Sequence, residues 1–251
     1  MASARLEGRT ALITGVSGIV GGGIAQQVLA AGARVVAPVR RAEQVAEVRA
    51  VLGASPELEV VAFDFGQEEG LRALAAHVRV KYGCVDYVVA CLGGHVQVGP
   101  LSMLTQQEYL RTISIRAWSQ TLAARWLGPL LKNDPSSTYM VVTGKLGEKC
   151  TGANLAAYSI ASATVYAVVS ALRAEQAAAG EEGAPSQALA CPPPRAVVRE
   201  FRIGTAVRRD EEDHHFQFPD APSAPAREVG LAAVDVLGAT QESLVRFPAE
   251  A

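Results

Sequence analysis

Three glycines spaced three residues apart form the first candidate site for chemistry. Gly15, Gly18 and Gly21 follow a short apolar segment and precede an apolar helical one. A turn without side chains lets backbone N–H groups approach a pyrophosphate, which then faces the positive end of the next helix. A tight turn also needs glycine for steric reasons alone. The position directly after the first strand favours a phosphate site, and we predict that it is formed by Gly15, Ser17, Gly18, Ile19 and Gly21.

Two arginines follow the second predicted strand, where a dinucleotide fold usually has a carboxylate for the adenosine ribose. The sequence there reads Val39, Arg40, Arg41. Arginine side chains pair with a 2′-phosphate through charge-assisted hydrogen bonds, whereas a carboxylate would repel it. The alternative is that both arginines only begin a solvated helix. We expect NADP(H) to be preferred over NAD(H).

The phosphate turn needs a strand before it and a helix after it, and the rest of the chain repeats this pair. Short β-branched segments alternate with longer segments rich in alanine and leucine, which is typical of a parallel sheet. Strands are predicted at 10–13, 34–37, 59–63, 87–90, 138–142, 196–201 and 243–246. Helices are predicted at 22–31, 42–52, 67–82, 105–131, 153–179 and 226–237. The pattern indicates a Rossmann-type doubly wound α/β fold, with about seven parallel strands and helices on both faces.

Two segments interrupt this alternation. Residues 180–195 contain three consecutive prolines, which forbid a helix and favour an extended surface loop. Residues 208–225 are polar and contain proline, and they follow the sixth strand at the edge where such folds bind ligands. We expect them to form a substrate lid. Residues 1–251 otherwise make one dinucleotide-binding domain, since the length suits one core and is short for two.

Composition narrows the partners to small molecules. A net charge of −2 among 251 residues gives no basic surface for nucleic acid, and no apolar run approaches a membrane span of roughly 18 residues. The four cysteines lack the spacing of a zinc site. The acidic and histidine-containing run at 210–215 fits a solvated lid better than a metal site. We therefore expect no bound metal and a soluble protein of the cytoplasm or an organelle interior.

Over nearly its whole length the chain resembles the short-chain dehydrogenase/reductase family. The glycine turn resembles the cofactor turn of the family's extended and atypical branches. The resemblance makes Asp64 the residue that contacts adenine, and Phe65 beside it is expected to contact the cofactor too. Cys91 to Gly93 match the end of the family's Asn-Asn-Ala-Gly motif, of which only Gly93 is kept. Ile203 with Gly204 stands where the family has a Pro-Gly turn near the nicotinamide.

The same resemblance assigns the catalytic positions, and most of them have changed. Ser114 stands at the family's asparagine, Gly144 at its serine and Ser162 at its lysine; Tyr158 keeps the tyrosine. The adjacent hydroxyl of Thr143 replaces the serine only if the strand twists, because successive strand residues face opposite ways. Lys145 or Arg202 is the candidate cation in place of the lysine. His95 follows the fourth strand, and a lone histidine at the end of a strand is more often a structural residue than a catalytic one.

These losses leave several functions open. The leading hypothesis is an atypical NADP(H)-dependent oxidoreductase that reduces a small carbonyl or enone substrate with Tyr158 as proton donor. One alternative is a dinucleotide-binding or scaffold protein without catalysis, and another is a non-redox enzyme that uses the same pocket. Fold alone does not choose among them. In the family, the helix that carries Trp118 and Trp126 packs against a second subunit, which implies a homodimer or homotetramer.

Overall fold

A computed structural model describes residues 6–93, 99–179, 193, 195–214, 221–238 and 243–248. Its centre is a sheet of seven strands, β1 Thr10–Ile13, β2 Arg34–Val39, β3 Leu58–Ala62, β4 Tyr87–Ala90, β5 Thr138–Gly144, β6 Val197–Ile203 and β9 Leu244–Phe247. Their order in the sheet is β3-β2-β1-β4-β5-β6-β9, and every pair is parallel. The prediction of a seven-stranded parallel sheet is confirmed.

Helices cover both faces of this sheet. They are α1 Ile19–Ala30, α2 Glu43–Leu52, α3 Glu68–Tyr82, α4 Gln106–Ile113, α5 Ser119–Leu127, α6 Ala156–Ala179 and α7 Ala226–Gly238. Alternate strand residues enter two separate cores, so that Ile13 packs with α1, α2 and α7 while Leu12 packs with α3, α5 and α6. Burial on both faces explains why β1 and β4 are almost wholly apolar. Strand β6 is the exception, because it carries the buried residues Arg199, Glu200 and Arg202.

The strand order reverses between β1 and β4, because the chain moves outward from β1 to β3 and then returns to pair β4 with β1 on its other side. In open α/β sheets such a reversal leaves a crevice at the carboxyl ends of the strands, and ligands bind there. The glycine turn after β1 and Cys91 after β4 therefore lie at the edges of one crevice.

The predicted helix over 105–131 is interrupted. Thr105 and Glu108 form a reciprocal capping box at its start, but α4 ends at Ile113 and a π-helical segment, Ser114–Trp118, joins it to α5. Within this segment the Ser119 N–H reaches back five residues to the Ser114 carbonyl. The prediction of one continuous helix was wrong, because this segment contains no proline or glycine that would mark the interruption in the sequence. The extra residue per turn rotates the side chains that follow Ser114.

Two short strands at the ends of the predicted lid pair with each other. Ala206–Arg208 (β7) and Ser223–Pro225 (β8) form a small parallel sheet, and the Asp210 carboxylate accepts the N–H of Arg227 in the first turn of α7. Residues 215–220 lie outside the described residues, as do 180–192 and 194 of the predicted surface loop. The lid, the loop and the single-domain assignment thus stay predictions. Within the described ranges no helix is long and apolar enough to cross a membrane, and no group of three potential metal ligands occurs.

Candidate active site

The glycine turn is sterically required at its centre. Gly15 has φ +74°, and a Cβ there would lie 2.0 Å from the Cys91 carbonyl oxygen on the neighbouring strand end. A Cβ on Gly21 would lie 2.3 Å from the Gly15 carbonyl oxygen. Both contacts are far inside van der Waals range, so any side chain would force the turn and the strand ends apart. The result is a bare backbone floor at the point where the strand order reverses.

Helix α1 opens onto this floor with its N-terminus uncapped by a side chain. Gly18 is the N-cap residue, and the first turn contains no acidic residue. Ser17 and Gly18 are exposed, while Ile19 is half-buried. Free N–H groups at a helix start, together with the helix dipole, favour an anion. These features would suit the pyrophosphate of a dinucleotide, and the roles of Ser17, Gly18 and Ile19 stay predictions.

The two arginines lie where the adenosine half of such a cofactor would extend. Arg40 and Arg41 are both exposed, and the Arg40 Cδ lies 3.9 Å from the position of a Cβ on Gly66. The Asp64 carboxylate accepts the Gly66 N–H at 3.2 Å, so it shapes its own loop beside Arg40. Phe65 packs against the core beneath this loop. Arg40, Asp64 and Phe65 are thus neighbours on one rim.

The end of β4 is held from two sides. The Thr14 hydroxyl accepts the Cys91 N–H at 3.2 Å and donates to the Val89 carbonyl. From below, the buried Gln120 amide donates to the carbonyls of Ala90 and Leu92, each at 3.2 Å. Burial raises the pKa of the Cys91 thiol to about 12, so this thiol stays protonated and is a poor nucleophile. Sequence analysis did not identify the role of Gln120, because only the fold brings α5 under β4.

Tyr158 has a neighbour that the sequence did not reveal. The guanidinium carbon of Arg116 lies 3.7 Å from the centre of the Tyr158 ring, a close cation–π contact. The two guanidinium Nη atoms lie 3.6 and 3.8 Å from the position of a Cβ on Gly93. Burial lowers the pKa of Arg116, and a hydrogen bond with Tyr158 opposes that shift. Arg116 therefore links α6 to the turn after β4, across the predicted active site.

Arg116 lies within the π-helical segment. Ser114, at the start of the segment, is exposed, whereas Arg116 two residues later is half-buried. The helical pattern of the sequence does not distinguish Arg116 from its neighbours. Only its closeness to Ser114 in the sequence could have indicated that it lies at the site. Segments of this kind are frequent at functional sites.

Arg202 and Thr143 belong to a different cluster. The carboxylate of Glu200 accepts the Thr143 hydroxyl at 2.7 Å and the Arg202 Nε at 2.7 Å. Arg202 also pairs with Glu148, which in turn pairs with Arg246 at 2.6 Å. Partners on both sides fix the guanidinium of Arg202, and the hydroxyl of Thr143 is used within the sheet. The structure therefore does not support the expectation that either residue replaces a lost catalytic group.

Tyr166 fastens the loop after β5 to α6. Its hydroxyl donates to the Gly144 carbonyl at 2.5 Å, and the Arg202 guanidinium lies 3.9 Å from its ring centre. Lys145 follows and is exposed, with its Cδ 3.5 Å from the position of a Cβ on Gly204. Ile203 beside it is buried in the core. Lys145 thus lies on the rim next to the turn that the resemblance places near the nicotinamide.

The two positions at which the family has a serine and a lysine differ in the space around them. A Cβ on Gly144 would meet nothing closer than the Ile203 carbonyl oxygen at 3.9 Å. Ser162, by contrast, is 4% exposed and lies against the tight turn at Gly147. A serine side chain would therefore find room at position 144, whereas a lysine at position 162 would be packed against that turn.

Comparison with known proteins finds similar sequences. Residues 9–180 match the model of a family described as short chain dehydrogenase. A protein named 11-beta-hydroxysteroid dehydrogenase A from Sesamum indicum is 27% identical over 175 residues, which are 67% of this chain and 48% of that protein. The chain thus matches about half the length of this curated relative.

Solved structures share the fold. A short-chain dehydrogenase/reductase from Serratia marcescens superposes with a TM-score of 0.78 at 13% identity, covering 97% of both chains. A metagenomic short-chain oxidoreductase in complex with NADP gives a TM-score of 0.73 at 19% identity, covering 98% of this chain and 100% of that one. At such identities the likeness establishes the architecture only.

Proposed function

Because the chain belongs to the short-chain dehydrogenase family, we propose that it is an NADP(H)-dependent oxidoreductase that reduces a small carbonyl or enone substrate. The observation that carries this proposal is the placement of Tyr158. Its ring lies against Arg116, and Arg116 lies over Gly93 at the strand end that forms one side of the dinucleotide crevice. The phenol is therefore close to the site that the glycine floor and α1 offer to a cofactor.

The cofactor, when bound, supplies a hydride. The residues of this chain that would hold it are the backbone from Gly15 to Ile19, the strand end at Cys91 and Gly93, and the rim with Arg40, Arg41 and Asp64. The exposed arginines support a preference for the 2′-phosphate of NADP(H). A structural neighbour that was solved with NADP is consistent with this preference.

The preference is tested by titrating NADPH and NADH against the wild type and an Arg40→Ala, Arg41→Ala double variant. Charge-assisted hydrogen bonds contribute about 1.5–3 kcal/mol, so we expect the double variant to lose about 10- to 150-fold in NADPH affinity and little in NADH affinity. Arg49→Ala is the matched control, because Arg49 lies in the last turn of α2 and is also exposed. Equal affinity of the wild type for both cofactors would contradict the preference.

Tyr158 acts as the proton donor in this proposal. As the carbonyl is reduced, its oxygen would take the proton of the Tyr158 phenol, and water would return a proton to the phenolate. The cation–π contact with Arg116 holds the ring, and the adjacent positive charge stabilises the negative oxygen left behind. A neutral phenol suits reduction. Alcohol oxidation would need it deprotonated beforehand, and no lysine lies at Ser162 to favour that.

The test is NADPH consumption with a panel of aldehydes, ketones, enones and oxosteroids, the last because of the name of the Sesamum relative. Tyr158→Phe removes the proton and should lower turnover about 100- to 10,000-fold, the usual contribution of a general acid. Tyr109→Phe is the control, since Tyr109 is exposed on α4. Activity that persists in Tyr158→Phe would disprove the mechanism. Tight NADPH binding without activity toward any substrate would instead favour a dinucleotide-binding protein.

We also propose that the protein assembles as a homodimer or homotetramer. Trp118 is 51% exposed, and Met103 and Leu110 on the same stretch of chain are 73% and 55% exposed. Large apolar groups at one surface favour association. Trp126, in contrast, packs against the core and donates to Glu68, so it contributes to folding of the subunit. Light scattering of the wild type and of Trp118→Glu measures the assembly, and a monomeric wild type would contradict it.

A further inference from the structure

Arg116 differs from the other arginine that stacks on a tyrosine of α6. Arg202 stacks on Tyr166 and is neutralised by the carboxylates of Glu200 and Glu148. Arg116 stacks on Tyr158, and among the described residues no carboxylate pairs with it. Its interaction partners there are Tyr158 and the Cys91 thiol, and neither is a carboxylate.

A half-buried cation without a counter-ion is unfavourable by itself. Partial loss of hydration disfavours the charged form, and burial lowers the pKa of Arg116 accordingly, although an arginine remains protonated. Folded proteins usually neutralise such a group with an acidic side chain, as this chain does for Arg202. A site that keeps its cation unneutralised next to a proton donor is suited to receive an anion from outside.

The planar guanidinium restricts which anion fits. Its N–H groups form a fork that matches the two oxygens of a carboxylate, and stacking on Tyr158 leaves the edges of the fork as the donors. The Nη atoms lie at ordinary contact distance over Gly93, which presents no side chain between them and the crevice. Since the phenol of Tyr158 and the fork of Arg116 are adjacent, one small ligand can meet both groups.

We propose that Arg116 is the substrate-binding residue for a carboxylate, and that the substrate class is short oxo acids. The carbonyl oxygen would accept from the Tyr158 hydroxyl while the carboxylate pairs with the Arg116 fork. The close contact of the two side chains requires the carboxylate and the reacting carbonyl to be separated by only one or two bonds. This inference rests on the proposed function, because it assigns the substrate of the same pocket.

The experiment uses a matched pair of unreactive probes, oxamate and its neutral ethyl ester. Each is titrated calorimetrically into the full-length protein saturated with NADPH. Oxamate carries the carboxylate beside a carbonyl, and the ester differs chiefly in charge. We expect oxamate to bind the wild type at least about tenfold more tightly than the ester does. Equal binding of the two probes, or binding of neither, would overturn the proposal.

Two variants of Arg116 and one control locate the effect. Arg116→Gln removes the charge and should abolish the preference for oxamate, whereas Arg116→Lys keeps the charge without the fork and should retain part of it. Arg111→Gln is the control, because Arg111 is exposed on α4. It should behave as the wild type. A preference for oxamate that persists in Arg116→Gln would place the anion elsewhere and overturn the proposal.

NADPH affinity separates this role from one in cofactor binding. It should change by less than about twofold in Arg116→Gln, since the phosphate site lies at α1. A loss of NADPH affinity as large as the loss of oxamate affinity would assign Arg116 to the cofactor instead. These titrations need no turnover, so their result can be interpreted even if the protein does not catalyse the proposed reaction. Oxamate binding through Arg116 without NADPH consumption would refute the reductase and keep the anion site.

Discussion

Replacement of Gly15 by alanine tests the close packing of the glycine turn against the end of β4. The expected loss in the free energy of unfolding can be worked out from the structure. Two costs add at this position. A side chain at φ +74° is strained by about 1–2 kcal/mol. The new Cβ would also lie 2.0 Å from the Cys91 carbonyl oxygen, and relief of such overpacking costs about 1–3 kcal/mol more. We therefore expect Gly15→Ala to lower the free energy of unfolding by about 2–5 kcal/mol.

Gly8 provides a control that isolates the collision. Its φ of +72° nearly equals that of Gly15, and a Cβ there would meet nothing within 4 Å. Gly8→Ala therefore carries a comparable cost of positive φ without the steric contact, and both variants share the small stabilisation from a less flexible unfolded chain. It should cost about 1–2 kcal/mol and leave NADPH binding unchanged. The difference between the two variants measures the contact between the glycine turn and the end of β4.

The assay is urea unfolding followed by circular dichroism, with NADPH titration of each folded variant. For a chain of this size, each kcal/mol corresponds to a shift in the melting temperature of roughly 2–4 °C. Gly15→Ala should also lose most of its NADPH affinity, because relief of the collision moves the floor that faces the phosphates. Equal stability of the two variants, with NADPH affinity retained in both, would refute the close approach of β1 and β4.

Three further predictions concern other parts of the molecule. Asp86 is buried, which raises its pKa, but hydrogen bonds from Lys132, Thr10 and Arg9 outweigh burial and hold the pKa below its usual range. Asp86→Asn should lower the free energy of unfolding by about 2–3 kcal/mol at pH 7, as measured by urea titration. This difference from the wild type should disappear as the pH falls below about 4 and through the pKa of Asp86 in the folded state. A difference that persists in acid would be inconsistent with this. Gly144→Ser with Ser162→Lys should not create efficient alcohol oxidation, since a lysine overpacks the buried helix position; a large gain in NADP⁺ reduction would contradict this. Lys145→Ala should lower turnover less than Tyr158→Phe does, because Lys145 lies on the exposed rim; an equal loss in kcat would assign it to the reaction.

The sequence determined the architecture because the fold depends on local, repeated signals. Seven apolar segments alternate with amphipathic ones, and each strand found in the main sheet overlaps a predicted strand. The glycine turn and the arginines after β2 were likewise predictable, since their spacing relative to β1 and β2 is fixed by short connections. The family resemblance also singled out Tyr158 as the candidate proton donor, and this role stays a prediction.

Tertiary structure decided which charges face the pocket. Arg202 and Lys145 were the predicted replacements for the missing lysine, but Arg202 is bound by two carboxylates that come from β6 and the loop after β5. Arg116 contacts Tyr158 although the two residues are 42 positions apart in the sequence (158 − 116). It lies in the π-helical segment after α4, which the sequence did not indicate. Sequence spacing specifies neighbours along one element, whereas contact between two elements follows from how their helices pack on the shared sheet.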